Sequence, residues 1–124
     1  MNRWFTFSSV VLGLCFALAG CNPKIGDSCS ADSDCSMQGD RVCDQSQPGG
    51  YCLKMDCDPD TCPGEAVCVE FLKDIRSERF CMRHCSSDGD CRGKYRCVDP
   101  DDVLAQIIDD KPKGDQFCIM DVPK

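Results

Sequence analysis

Hydrophobic and polar positions divide this chain into two unlike parts. From Val10 to Ala19 the residues are apolar or small and carry no charge. After residue 20 the apolar residues come in short clusters, many of them around a cysteine: Tyr51-Cys52-Leu53, Phe80-Cys81-Met82 and Phe117-Cys118-Ile119. Successive side chains of a strand point to opposite faces, so each triplet suits a short strand with its flanking residues opposite the sulfur. Each of these strands is expected to pair with one carrying the preceding cysteine, giving small β-hairpins, with Pro48-Gly49-Gly50 supplying one turn. A short helix is expected near residues 100–109: Asp99 caps it, Pro100 takes the first helical position, and Asp101 and Asp102 favour the positive end of its dipole. Val103, Leu104, Ile107 and Ile108 form its apolar face, and Asp109-Asp110-Lys111-Pro112 ends it. Between Glu70 and Glu78 a shorter helical turn is expected through Phe71, Leu72 and Ile75.

Composition changes what these clusters mean. Arg3 is the only charge in the first 20 residues, and the other 104 hold 13 basic against 21 acidic side chains, a formal charge of −8. Those 104 residues include only 17 Val, Ile, Leu and Phe. So little hydrocarbon with so much charge normally leaves a chain disordered. Cysteine supplies the missing constraint: the chain has 14, a density that marks a disulfide scaffold made in an oxidising compartment. The acidic balance excludes nucleic acid as a partner, since that needs a basic patch to displace phosphate counterions.

The cysteines repeat. Setting aside Cys15 and Cys21 leaves Cys29, Cys35, Cys43, Cys52; Cys57, Cys62, Cys68, Cys81; and Cys85, Cys91, Cys97, Cys118. The first gap holds 5, 4 and 5 residues, the second 7, 5 and 5, and the third 8, 12 and 20. An acidic, turn-prone stretch precedes each second cysteine: Asp32-Ser33-Asp34, Asp58-Pro59-Asp60 and Asp88-Gly89-Asp90. The expected architecture is therefore small and disulfide-rich, with three tandem four-cysteine units at 29–56, 57–84 and 85–124. Within each unit three pairings are open, of which first-to-third with second-to-fourth is favoured here. Closing a loop of about 15 residues contributes about 3 kcal/mol on the chain-entropy model.

The N-terminus reads as an address. Asn2-Arg3 is a short positive region, and the apolar run is too short to span a membrane, so residues 1–20 are expected to be a signal peptide. Leu18-Ala19-Gly20-Cys21 resembles the bacterial lipobox at all four positions. That resemblance implies a diacylglyceryl group on the Cys21 sulfur, cleavage before Cys21 and acylation of its amine. Residues 21–28 are then the lipidated anchor and a short linker. Several acyl chains hold a protein at a membrane where one is marginal. Asn22 stands where an Asp retains lipoproteins at the inner membrane in some enterobacteria, which favours the outer membrane.

The whole arrangement resembles the cysteine-rich lipoproteins of myxobacteria and related soil bacteria. Gly26-Asp27-Ser28-Cys29, Asp34-Cys35, Val42-Cys43 and Gly50-Tyr51-Cys52 are also similar to the N-terminal cysteine-rich region of Dickkopf proteins. The second resemblance implies extracellular protein binding, and neither identifies a contact residue.

Candidate chemistry is sparse. Zinc and iron–sulfur sites usually present Cys-x-x-Cys, which is absent, so no metal or cofactor is expected. The acidic stretches offer two or three of the roughly six oxygens that calcium wants, whereas Asp also favours turns by bonding its own backbone. His84, the only histidine, reads as a surface side chain rather than a catalytic one, and no enzyme motif accompanies it. The expected function is a non-catalytic binding module for an envelope or extracellular protein or glycan. The alternatives are a structural envelope protein, or a protease inhibitor presenting Arg76 or Arg79 on the loop between Cys68 and Cys81. In the denatured, unreduced mature protein, thiol titration is expected to find none of the twelve sulfurs free. A dozen titrating thiols would remove the scaffold.

Overall fold

The computed structural model describes residues 22–121 apart from residue 74. The expected signal peptide at residues 1–20, and Leu18, Ala19, Gly20 and Cys21 of the expected cleavage and lipidation motif, lie outside the described residues. The fold is small, cysteine-rich and antiparallel. Its strands are β1 (Val42–Asp44), β2 (Tyr51–Met55), β3 (Ala66–Lys73), β4 (Arg76–Cys85), β5 (Tyr95–Val98), β6 (Ala105–Ile107) and β7 (Gln116–Met120). Three single turns of 3-10 helix, at Asp32–Asp34, Asp88–Asp90 and Pro100–Val103, are the helical structure among the described residues.

All twelve cysteines from Cys29 onward are bonded, as Cys29–Cys43, Cys35–Cys52, Cys57–Cys68, Cys62–Cys81, Cys85–Cys97 and Cys91–Cys118. This is the favoured pairing. The hairpins explain it. Cys43 lies directly opposite Cys52 in β1–β2, Cys68 opposite Cys81 in β3–β4, and Cys97 opposite Cys118 in β5–β7. The opposed cysteines do not join each other. Each reaches instead to a cysteine on the segment that precedes its hairpin, so two parallel bonds clamp that segment onto the two strands.

The hairpins fuse through β4. This ten-residue strand pairs along one side with β3 from Arg83 to Arg76, and on the other with β2 at Cys81 and Phe80 and with β7 at His84 and Cys85. The strand order is β1-β2-β4-β3-β6, with β7 also on β4 and β5 on β7. Ala66, Val67, Cys68 and Val69 are buried in succession because β3 is covered on both faces. Around them lie Ile25, Tyr51, Leu53, Met82, Tyr95, Val98 and Phe117. Phe71 stacks against Phe80 at 6.0 Å and edge-on against Phe117 at 5.7 Å.

Two helical expectations are corrected. The segment near 100–109 begins with Asp99 extended and Pro100 at the first position, but the Asp99 side chain makes no cap, accepting instead from Gln116 Nε2 at 3.1 Å, and the segment makes only one 3-10 turn. Leu104 then turns left-handed at φ 53°, and residues 105–107 form β6 along the outer edge of β3, Ala105 opposite Phe71 and Ile107 opposite Val69. An isolated helix of about ten residues is marginal in water. β3 offers a row of backbone groups that would otherwise go unpaired. The expected turn through Phe71, Leu72 and Ile75 is likewise strand: β3 runs on to Lys73, which pairs with Arg76. Alternation decides it, since Phe71 packs inward while Glu70 meets Arg79 across the ladder at 3.3 Å.

Gly50 is one position where the fold requires glycine. Its φ is +72°, and a Cβ there meets the Cys29 carbonyl oxygen at 2.1 Å. Gly50→Ala is therefore expected to cost at least about 2 kcal/mol of stability, read as a lowered thermal midpoint of the oxidised protein. Gly39→Ala, at φ +77° but facing open space, is expected to cost only about 1 kcal/mol for its backbone. Equal losses in the two variants would refute the close approach.

Candidate functional site

The acidic stretches before each second cysteine have a definite task. Asp34 Oδ2 accepts the N–H groups of Ser30 and Ala31 at 2.8 and 3.0 Å. Asp90 Oδ2 accepts those of Ser86 and Ser87 at 2.9 and 3.2 Å, which holds the Asp90 carboxyl below its ordinary range. The other acid of each stretch reaches the hairpin: Asp32 Oδ1 accepts the N–H of Cys43, and Asp88 Oδ1 that of Cys97, both at 2.8 Å. These oxygens are held by backbone donors, which supports the turn-forming reading of the acids over a cation cradle.

The middle hairpin solves the same problem differently. Pro59 stands three residues before Cys62, where Asp32 and Asp88 stand three before Cys35 and Cys91. The carboxylate comes instead from Asp109, just after β6. Its Oδ2 accepts the N–H of Cys68 at 3.0 Å and its Oδ1 that of Asp60 at 2.7 Å. Asp60 in turn accepts the N–H of Lys111 at 3.0 Å.

Tyr51 joins all three hairpins. Its hydroxyl, on β2, accepts the N–H of Arg83 on β4 at 3.0 Å and faces the Cys118 carbonyl on β7 at 3.4 Å. Burial pushes this hydroxyl up to about 12, against the opposing effect of the Arg83 N–H. Arg92 lies over the Tyr95 ring at 4.6 Å and donates to the carbonyls of Pro48 and Gly50. Tyr95 itself donates to Pro48 O at 2.8 Å. The turn of the first hairpin is thus gripped by residues beside β5.

One face of the sheet carries an apolar concavity of about 360 Å³, with Leu53, Phe71, Phe80, Val103, Ile119 and Met120 among its walls and Asp44, Lys73 and Glu78 at its rim. Asp44 is partly buried, which raises its carboxyl, but hydrogen bonds from Gln47 and Ser46 outweigh this and hold it low. Acidic and basic side chains thus stand together around apolar walls. Pockets that take ligands or side chains usually combine an apolar lining with a few polar groups.

Comparison with protein-family models, curated proteins and solved structures finds none that matches this chain.

The remaining sequence candidates fall in separate places. Arg76 and Arg79 lie on β4 in regular register with Lys73 and Glu70, so the stretch between Cys68 and Cys81 is a hairpin rather than an extended loop. His84 lies on β4 with its N–H donating to the Glu65 carbonyl at 3.1 Å. The three clusters of close cysteine sulfurs, such as Cys57, Cys62 and Cys68, are neighbouring disulfides and hold no thiolate for a metal. The concavity and the bridging role of Asp109 escape the sequence reading. Pro59 at the position of an expected acid is the one signal that a carboxylate must arrive from elsewhere. Asp109→Ala leaves two backbone donors without their acceptor and is expected to cost about 1–3 kcal/mol, read as a lower urea midpoint of the oxidised protein. Asp110→Ala, at an exposed neighbour, is expected to fall within about 0.5 kcal/mol of wild type. Equal effects would end the bridging role.

Proposed function

We propose that this chain is a lipid-anchored extracytoplasmic protein built of three tandem four-cysteine units, which binds a partner protein through the concavity on its sheet. The unit boundaries are 29–56, 57–84 and 85–124. The like pairing of cysteines in each unit supports this, as does the carboxylate brought to the third cysteine of each by Asp32, Asp109 and Asp88. Six disulfides fit an oxidising compartment. Among the described residues no helix is long and apolar enough to cross a membrane; the proposed attachment is through acyl chains on Cys21, and Asn22 after it favours the outer membrane.

The observation that carries the binding role is the concavity itself. It is an apolar hollow with charged residues at its edge on a protein whose charge is strongly acidic. Its size and lining suit one or two large apolar side chains of a protein surface, the kind of anchor around which interface energy concentrates. No catalytic constellation is proposed.

The test uses the mature, oxidised protein immobilised against fractionated envelope and extracellular proteins, with Met120→Glu alongside. Saturable binding by wild type that falls at least about tenfold in the variant, as one buried unpaired charge requires, is the expected result. An unchanged disulfide map guards against misfolding. Binding that is absent, or indifferent to Met120→Glu, would leave the structural envelope role in its place. Mass spectrometry of the same preparation is expected to find acylated Cys21 as the first residue.

A further inference from the structure

We propose that the occupant of the concavity is a second copy of this chain, each copy seating the tip of its β3–β4 hairpin in the hollow of the other. The inference rests on the binding role put forward above and names the partner.

The hairpin projects from the sheet. On one side its last neighbour is β2, whose final pair is Met55 with Phe80, followed by the Asp56 N–H on the Arg79 carbonyl at 2.9 Å. On the other it is β6, whose last pair is Ala105 with Phe71, followed by the Leu72 N–H on the Leu104 carbonyl at 3.0 Å. Among the described residues no further strand lies beside Lys73 or the stretch from Arg76 to Glu78. Lys73, Ile75, Arg76, Ser77 and Glu78 are all exposed. Lys73 pairs with Arg76, so Ile75 sits in a two-residue loop, and it is 99% exposed. Such loops favour glycine, asparagine or aspartate, whose backbones suit the turn. A β-branched isoleucine gives the turn nothing, and at full exposure it packs against nothing in its own chain.

Tip and hollow match in chemistry. The tip is one apolar side chain between two cations, Lys73 and Arg76. The hollow has Leu53, Phe71, Phe80 and Met120 among its walls, with Asp44 and Glu78 at its edge; Lys73 stands where the hollow gives way to the tip. Among the described residues none of Lys73, Arg76, Asp44 and Glu78 is ion-paired. Like copies of an acidic chain repel at a distance, so contact between them needs a basic site to meet an acidic one. The tip is such a site.

Register makes the docking reciprocal. Val69 lies opposite Phe80, Phe71 opposite Glu78 and Lys73 opposite Arg76. Strand alternation therefore puts the cations of the tip on the same face as Phe71 and Phe80 of the hollow. Ile75 stands about 13 Å beyond Phe71 at the rise of a strand. Two copies laid face to face with their hairpins antiparallel bring each tip over the other's hollow across one two-fold axis. Every contact is then made twice, as in any isologous dimer, and Lys73 and Arg76 of one copy reach Glu78 and Asp44 of the other.

Sedimentation of the mature, oxidised protein over a concentration series, in detergent matched to the solvent density, tests the proposal. Ile75→Asn, which suits the turn, and Met120→Glu in the hollow are run alongside, each after its six disulfides are mapped. Wild type is expected to be a reversible dimer, and each variant alone to associate at least about tenfold more weakly. Mixing the two variants is expected to recover dimer, because one intact tip still meets one intact hollow in the mixed pair. Wild type that stays monomeric, a dimer indifferent to Ile75→Asn, or variants that do not recover on mixing overturns the second copy as occupant. In each of those cases, capture of another envelope protein that Met120→Glu weakens leaves the binding role of the concavity standing, and failure of that capture removes both.

Discussion

Two neighbouring disulfides across the mouth of each hairpin are the constraint on which everything else in this molecule depends. Opposed cysteines such as Cys68 and Cys81 sit on facing positions of one ladder, and a direct bond between them would close only a local loop. Bonding Cys68 to Cys57 and Cys81 to Cys62 instead closes loops of 11 and 19 residues and fixes the incoming segment on both strands at once. Each such closure removes about 3 kcal/mol of freedom from the unfolded chain. Five of the seven strands are only three to five residues long, and strands so short do not hold to β3 and β4 by backbone pairing alone.

Sulfur nonetheless does not act alone. The buried set mixes eight half-cystines with Tyr51, Phe117, Val67, Val69, Ile25 and Val98, so the disulfides themselves supply much of the interior surface that a larger domain would build from leucine. That mixture also welds the hairpins. The hydroxyl of Tyr51 binds backbone of β4 and β7, Arg92 grips the Pro48–Gly50 turn, and Asp109 supplies the contact that Pro59 cannot. A buried hydroxyl whose pKa is pushed to about 12 stays neutral across any physiological pH, so this junction does not loosen with ordinary changes of acidity.

The parts of the fold legible in the sequence are those whose signal is local. Cysteine spacing marked three groups of four but left three pairings open in each, the favoured one being that observed, and aromatic residues flanking Cys52, Cys81 and Cys118 marked the second strand of each hairpin. The failures came where a local signal had two solutions. Val103, Leu104, Ile107 and Ile108 fit one face of a helix, yet Ala105-Gln106-Ile107 also alternates, and the open edge of β3 chose the strand. Likewise nothing near Phe71 announces that Phe80 and Phe117 will close around it. The concavity is assembled from β2, β3, β4 and β7, so no single stretch of sequence could have outlined it.

The asymmetry of the surface follows from the same economy of hydrocarbon. A chain with so few large apolar residues cannot leave five of them in water without a cost that its thin interior is poorly placed to offset. Those that are exposed, Met37, Met55, Leu72, Ile75 and Leu104, lie in loops or at strand ends, whereas the buried ones crowd around Cys52, Cys68, Cys81 and Cys118. The hydrocarbon this chain has is thus concentrated where the disulfides already hold strands together, and each apolar contact there is made between groups whose freedom the crosslinks have reduced beforehand.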